Sequence, residues 1–119
     1  MFKLYQIICP ITNLPIYVGI TGHSLNERLK SHHRDVDNIE KYIYLNYLKG
    51  IGLPVKIEQL MVLDDEEVIR WRERELIESY HKNGMKLLNR HYVVPNVIRK
   101  PKKVKPYKKF VHKFIARAK

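Results

Sequence analysis

The last 24 residues limit where this chain can fold. Residues 96–119 carry ten Lys/Arg (Arg99, Lys100, Lys102, Lys103, Lys105, Lys108, Lys109, Lys113, Arg117, Lys119) and no Asp or Glu, whereas residues 1–95 carry thirteen basic residues against all twelve acidic ones. A block of like charge repels itself and cannot close a core. The fold is therefore expected in 1–95, and 96–119 is expected to be a basic tail, extended up to Pro106. Hydrophobic residues make up 45% of the chain, enough for one packed domain of this length. The tail asks for a polyanion, and nucleic acid is the commonest one inside cells. Lys100, Lys102, Lys103, Lys105, Lys108, Lys109 and Lys113 are the expected phosphate contacts. Tyr107, Phe110 and Phe114 lie among them and suit either stacking on unpaired bases or docking on the body.

One cysteine, Cys9, cannot form an internal disulfide, which favours a reducing, cytoplasmic setting. The apolar start of the chain contains Lys3 and Gln6 and lacks the layout of a signal peptide. No stretch reaches the roughly 18 apolar residues of a membrane span.

Residues 2–8 are rich in β-formers and read as a strand. Asn13 lies in a turn between Pro10 and Pro15, and 16–20 reads as the returning strand of an antiparallel hairpin. Gly19 in that strand suggests a bulge or the close approach of another group. Ser24-Leu25-Asn26-Glu27 is a capping box that opens a helix to about Val36, with Leu25, Leu29 and Val36 as its buried stripe. A second helix is expected over 39–49, where Ile39, Ile43 and Tyr47 recur every fourth residue and Gly50 suits the position after its end. Residues 55–63 read as a third strand, with a change of apolar phase near Glu58-Gln59 that suggests a bulge. The acidic run Asp64–Glu67 favours a third helix start, and Asn83-Gly84 its end near Lys82. The order hairpin, two helices, strand, helix implies an α/β (α+β) sandwich: a three-stranded, mainly antiparallel sheet flanked by helices.

Chemistry enters with Glu73, which falls between Ile69 and Ile77 on the apolar side of the third helix. A carboxylate there needs a cation, a metal or strong hydrogen bonds. Arg28 and His32 lie four apart on the first helix and share a face. Tyr5 and Tyr17 lie on the two hairpin strands.

The ordered set Tyr5, Tyr17-Val18-Gly19, Arg28-x-x-x-His32, Glu73 and Asn89 resembles the GIY-YIG nuclease family over about residues 2–90. Lys3-Leu4-Tyr5 stands for the first motif triplet, with Lys3 in place of its glycine, and Tyr17-Val18-Gly19 for the second. Arg28 follows Gly19 by nine residues. Arg72-Glu73-Arg74-Glu75-Leu76-Ile77 resembles the metal-binding helix and Leu87-Leu88-Asn89 the terminal asparagine segment. The resemblance implies a Mg²⁺- or Mn²⁺-dependent DNA endonuclease of weak sequence specificity, acting on duplex, single-stranded or branched DNA rather than RNA. Sources in viruses, mobile elements and bacterial genomes all fit it. Glu73 would hold the metal, with Glu75 as the alternative and Glu78 behind both. Arg28 would contact the scissile phosphate. Tyr5 would activate water, with His32 relaying or accepting the proton, Tyr17 positioning water or phosphate, and Asn89 bracing the site. The alternative is a catalytically inactive nucleic-acid-binding module of the same fold.

Overall fold

The computed structural model of the protein describes residues 1–89. The tail, its lysines and aromatic residues, and the boundary at residue 95 lie outside the described residues. The elements run β1 (Phe2–Ile8), β2 (Pro15–Thr21), α1 (Leu25–Arg34), α2 (Ile39–Gly50), β3 (Lys56–Leu63) and α3 (Glu66–Lys82). The strands form one antiparallel sheet in the order β2-β1-β3, the expected α+β architecture.

As the central strand, β1 is buried on both faces. Alternation sends Leu4 and Ile8 to the face covered by α3, where they meet Val18, Leu60, Ile69, Leu76, Ile77 and Tyr80. Gln6 shares that face, and its Oε1 accepts a bond from the Tyr80 hydroxyl at 2.8 Å. Tyr5, Ile7 and Cys9 go to the other face, under Leu45 and Leu48 of α2 and beside Leu25 and Leu29 of α1. The chain turns between β1 and β2 through Asn13, whose φ of 59° is a conformation that asparagine tolerates. On β3 the pairing with β1 skips a residue between Gln59 and Met61, so the phase change marks a true irregularity of register.

All three helices open on a side-chain cap. Ser24 accepts from the Glu27 amide, Asn38 from Lys41 and Asp65 from Val68. Three expectations are corrected. Val36 lies beyond the end of α1 and is exposed. Ile39, Ile43 and Tyr47 face outward and are 55–60% exposed, because α2 packs through Lys41, Leu45 and Leu48 instead. Gly50 is still helical, and Gly52, with φ of 81°, supplies the left-handed turn after α2. Among the described residues, no helix is long and apolar enough to cross a membrane.

Candidate active site

Five side chains from four elements meet where α1 and α2 cover the β1–β2 hairpin. Tyr5 lies at the centre with no exposed surface, and its hydroxyl oxygen is 2.6 Å from His32 Nε2. Arg28 Nε donates to the same oxygen at 3.0 Å. The four-residue spacing on α1 is what lets Arg28 and His32 reach one atom. Tyr17 packs beside Tyr5 with ring centroids 6.3 Å apart, and the His32 ring meets Tyr17 edge-on at 4.6 Å. Tyr17 is only half-buried.

The close fit depends on Gly19. A Cβ there would stand 2.6 Å from the Tyr5 hydroxyl oxygen, 2.8 Å from its Cζ and 3.0 Å from Tyr17 Cε1. The glycine thus marks the close approach of side chains to β2, not a bulge. Asn89 locks the same strand from outside: its Oδ1 accepts from Val18 N at 3.1 Å and its Nδ2 donates to Val18 O at 2.7 Å. Leu88 N also donates to Ile16 O at 2.6 Å. These bonds brace the strand that carries Tyr17 and Gly19.

Burial dominates the electrostatics. It holds the Tyr5 hydroxyl well above the usual phenol range, with Tyr17 adding to the shift and the Arg28 guanidinium opposing it. Tyr17 is raised for the same reason. His32 is pushed down to about 3 by burial, then by the positive charges of Lys41 and Arg28, so the ring is neutral. Glu73 reaches this cluster from α3, and its charge acts on both Tyr5 and Tyr17. Burial raises the Glu73 carboxyl, against the weaker pull of Arg70 and Arg74. Among the described residues Glu73 has no hydrogen-bonded or ion-paired partner, whereas Glu75 is bound to Arg72 Nη1 at 2.8 Å. His33, the neighbour of His32, instead bonds the Leu29 carbonyl through Nδ1 at 2.9 Å.

The structure therefore brings together Tyr5, Tyr17, Arg28 and His32, with Glu73 near enough for its charge to act on both tyrosines and Asn89 bonded to β2. One residue escaped the sequence reading. Lys41 is 1% exposed, and its Nζ lies 2.6 Å from His32 Nδ1, 2.9 Å from Asp35 Oδ2 and 4.8 Å from the centroid of the Tyr17 ring. Its signal was the spacing Lys41, Leu45, Leu48, a helical stripe as good as Ile39, Ile43, Tyr47 but headed by a charge. No family model, curated protein or solved structure matches the chain.

Proposed function

We propose that the protein is a small metal-dependent DNA endonuclease of the GIY-YIG kind, working in a reducing, intracellular setting. The supporting observation is the convergence of Arg28, Tyr5, Tyr17 and His32 on one cluster under the charge of Glu73, a carboxylate with no partner among the described residues. Phosphodiester hydrolysis needs a cation for the phosphate, a placed water and a route for protons. Arg28 is half-exposed and is tied to Tyr5 through Nε and to the Tyr17 hydroxyl, so its guanidinium is held at the site with donors to spare for phosphate oxygens. Tyr17 is the phenol open to solvent, so we assign contact with water to Tyr17. Tyr5, sealed behind it, holds Arg28 and His32 in place. Full burial argues against Tyr5 alone meeting the water.

Glu73 fits a divalent ion better than Glu75 does. Its carboxylate is desolvated and, among the described residues, has no hydrogen-bonded or ion-paired partner, which a bound cation would relieve. No group of three or more His, Cys, Asp or Glu among the described residues could cage an ion. A single carboxylate suits Mg²⁺, which keeps most of its waters and takes further oxygens from phosphate. When bound, the metal would polarise the phosphate and stabilise the leaving oxygen.

The test is nicking of supercoiled plasmid and cutting of single-stranded DNA with Mg²⁺ or Mn²⁺, comparing the wild type with Glu73→Gln. The variant is expected to lose about 10³-fold or more in cleavage while still binding DNA. A raised carboxyl pKa means that this group weakens the fold once it ionises, so Glu73→Gln is also expected to unfold at a higher temperature at pH 7. Equal cutting by both proteins would refute the metal site. Salt-sensitive binding with no cleavage by the wild type would favour the inactive binding module.

The tail has a separate expected effect. Removing residues 96–119 takes away ten positive charges. If about six engage phosphates, DNA affinity at low salt should fall by about 10³-fold or more and lose most of its salt dependence. An unchanged salt slope in an affinity titration would exclude the tail as the gripping segment.

A further inference from the structure

The buried lysine beneath the site determines what its histidine can do. Lys41 Nζ faces three electron-rich neighbours: His32 Nδ1 at 2.6 Å, Asp35 Oδ2 at 2.9 Å and the face of Tyr17 at 4.8 Å. An ammonium has three hydrogens and no lone pair, so this set satisfies it completely. The Asp35 carboxylate keeps it charged: the ion pair opposes the burial that would strip the proton from Lys41, and the same bond pulls Asp35 down. A charged Lys41 can only donate. His32 Nδ1 must then be the acceptor, and in a neutral ring the single hydrogen sits on Nε2, the nitrogen 2.6 Å from the Tyr5 hydroxyl.

We propose that Lys41 is a positioning residue that locks His32 in its Nε2–H tautomer, so that His32 donates to Tyr5 and cannot take its proton. The Tyr5 oxygen then accepts two N–H bonds, one from Arg28 Nε and one from His32 Nε2. Its own hydrogen has neither of these neighbours as acceptor, so neither can draw the proton from Tyr5. Tyr5, kept as a neutral phenol by its burial, is then the fixed acceptor that orients both Arg28 and His32. This removes the proton-accepting role that the family resemblance implies for His32. The tautomer assignment itself rests on geometry. Only its consequence for cleavage rests on the nuclease reading above.

The experiment is ¹⁵N nuclear magnetic resonance of the full-length protein labelled at histidine, at pH 7, with the His32 signals assigned by their loss in His32→Gln. Nδ1 is expected at the non-protonated position and Nε2 at the protonated one. A protonated Nδ1, or an imidazolium, would overturn the proposal. In Lys41→Met the ring is expected to lose its single tautomer, and in Lys41→Arg, which keeps an obligate donor, to retain it. An unchanged tautomer in folded Lys41→Met would overturn the proposal. If that variant does not fold, the wild type and Lys41→Arg still decide. On cleavage, Lys41→Met is expected to lose about 10–100-fold in kcat with little change in KM. His32→Gln keeps one acceptor and one N–H donor but cannot carry a proton, so it should cut at least about tenfold faster than His32→Ala. Equal loss in the two would show His32 moving a proton and overturn the idea. A wild type that shows the Nε2–H tautomer but cuts no DNA would leave Lys41's role standing and refute the nuclease reading instead.

Discussion

As pH falls from 6.5 toward 3, the protein is expected to lose about 4 kcal/mol of stability through His32 alone. His32 is 1% exposed, and burial together with Lys41 and Arg28 lowers its pKa from 6.5 to about 3. The sign follows from proton counts. Between those two values the unfolded chain binds a proton at His32 and the folded chain does not, so acid favours unfolding throughout the window. The contribution is complete above pH 6.5 and is lost progressively as pH falls. The groups that face the ring are Tyr5 on β1, Tyr17 on β2, Arg28 on α1, Lys41 on α2 and Asp35 between the helices. Asp35 is itself held low by Lys41, so it also favours unfolding as it protonates. Glu73 is raised and works in the opposite direction. Urea unfolding at a series of pH values, for the wild type and His32→Gln, isolates the term: the variant should show a much flatter profile between pH 6 and 4. Parallel profiles would mean that His32 is not buried as a neutral ring.

Gly19→Ala should be the most damaging one-carbon change in the body. A methyl group there would overlap the Tyr5 hydroxyl oxygen at 2.6 Å and Cζ at 2.8 Å, well inside van der Waals contact. Tyr5 cannot give way, because it is wholly buried and its oxygen is held by Arg28 and His32. Overpacking of this kind costs about 1–3 kcal/mol, and a site without slack belongs at the upper end. The relief open to the structure is a shift of β2, which Asn89 resists through both Val18 bonds. Under the proposed nuclease function, displacing either tyrosine by about 1 Å would also reduce cleavage by about 10²-fold. Chemical denaturation and plasmid nicking read the two effects separately. Gly50→Ala is the control, since nothing lies within 4 Å of a Cβ placed there. Similar stabilities for the two variants would show that the close approach is not what Gly19 serves.

Most of the architecture could be read locally. The hairpin, the Ser24 cap, the acidic start of α3, the Asn13 turn and the irregular pairing of β3 each depend on residues a few positions apart, where propensity and hydrogen-bonding chemistry act directly. The misreadings on α2 have a physical cause. Ile39, Ile43 and Tyr47 and the set Lys41, Leu45, Leu48 have equivalent helical spacing, and hydropathy ranks the first set higher. Lys41 is buried only because His32, Asp35 and Tyr17, from other segments, supply partners for its ammonium, and such compensation leaves no trace in helical periodicity.

By itself the sequence determined that the elements of the body make a helix-flanked three-stranded sheet, and which polar residues sit at unusual places: Tyr5, Tyr17, Arg28, His32, Glu73 and Asn89. Tertiary structure alone decided how they are used. It gave Glu75 to Arg72 and left Glu73 without a partner among the described residues, sealed Tyr5 while leaving Tyr17 half-open, and placed Lys41 against His32. The reason is that spacing along the chain fixes the face on which a side chain stands. Which charges it meets, and how much water it keeps, depends on elements brought together from across the chain.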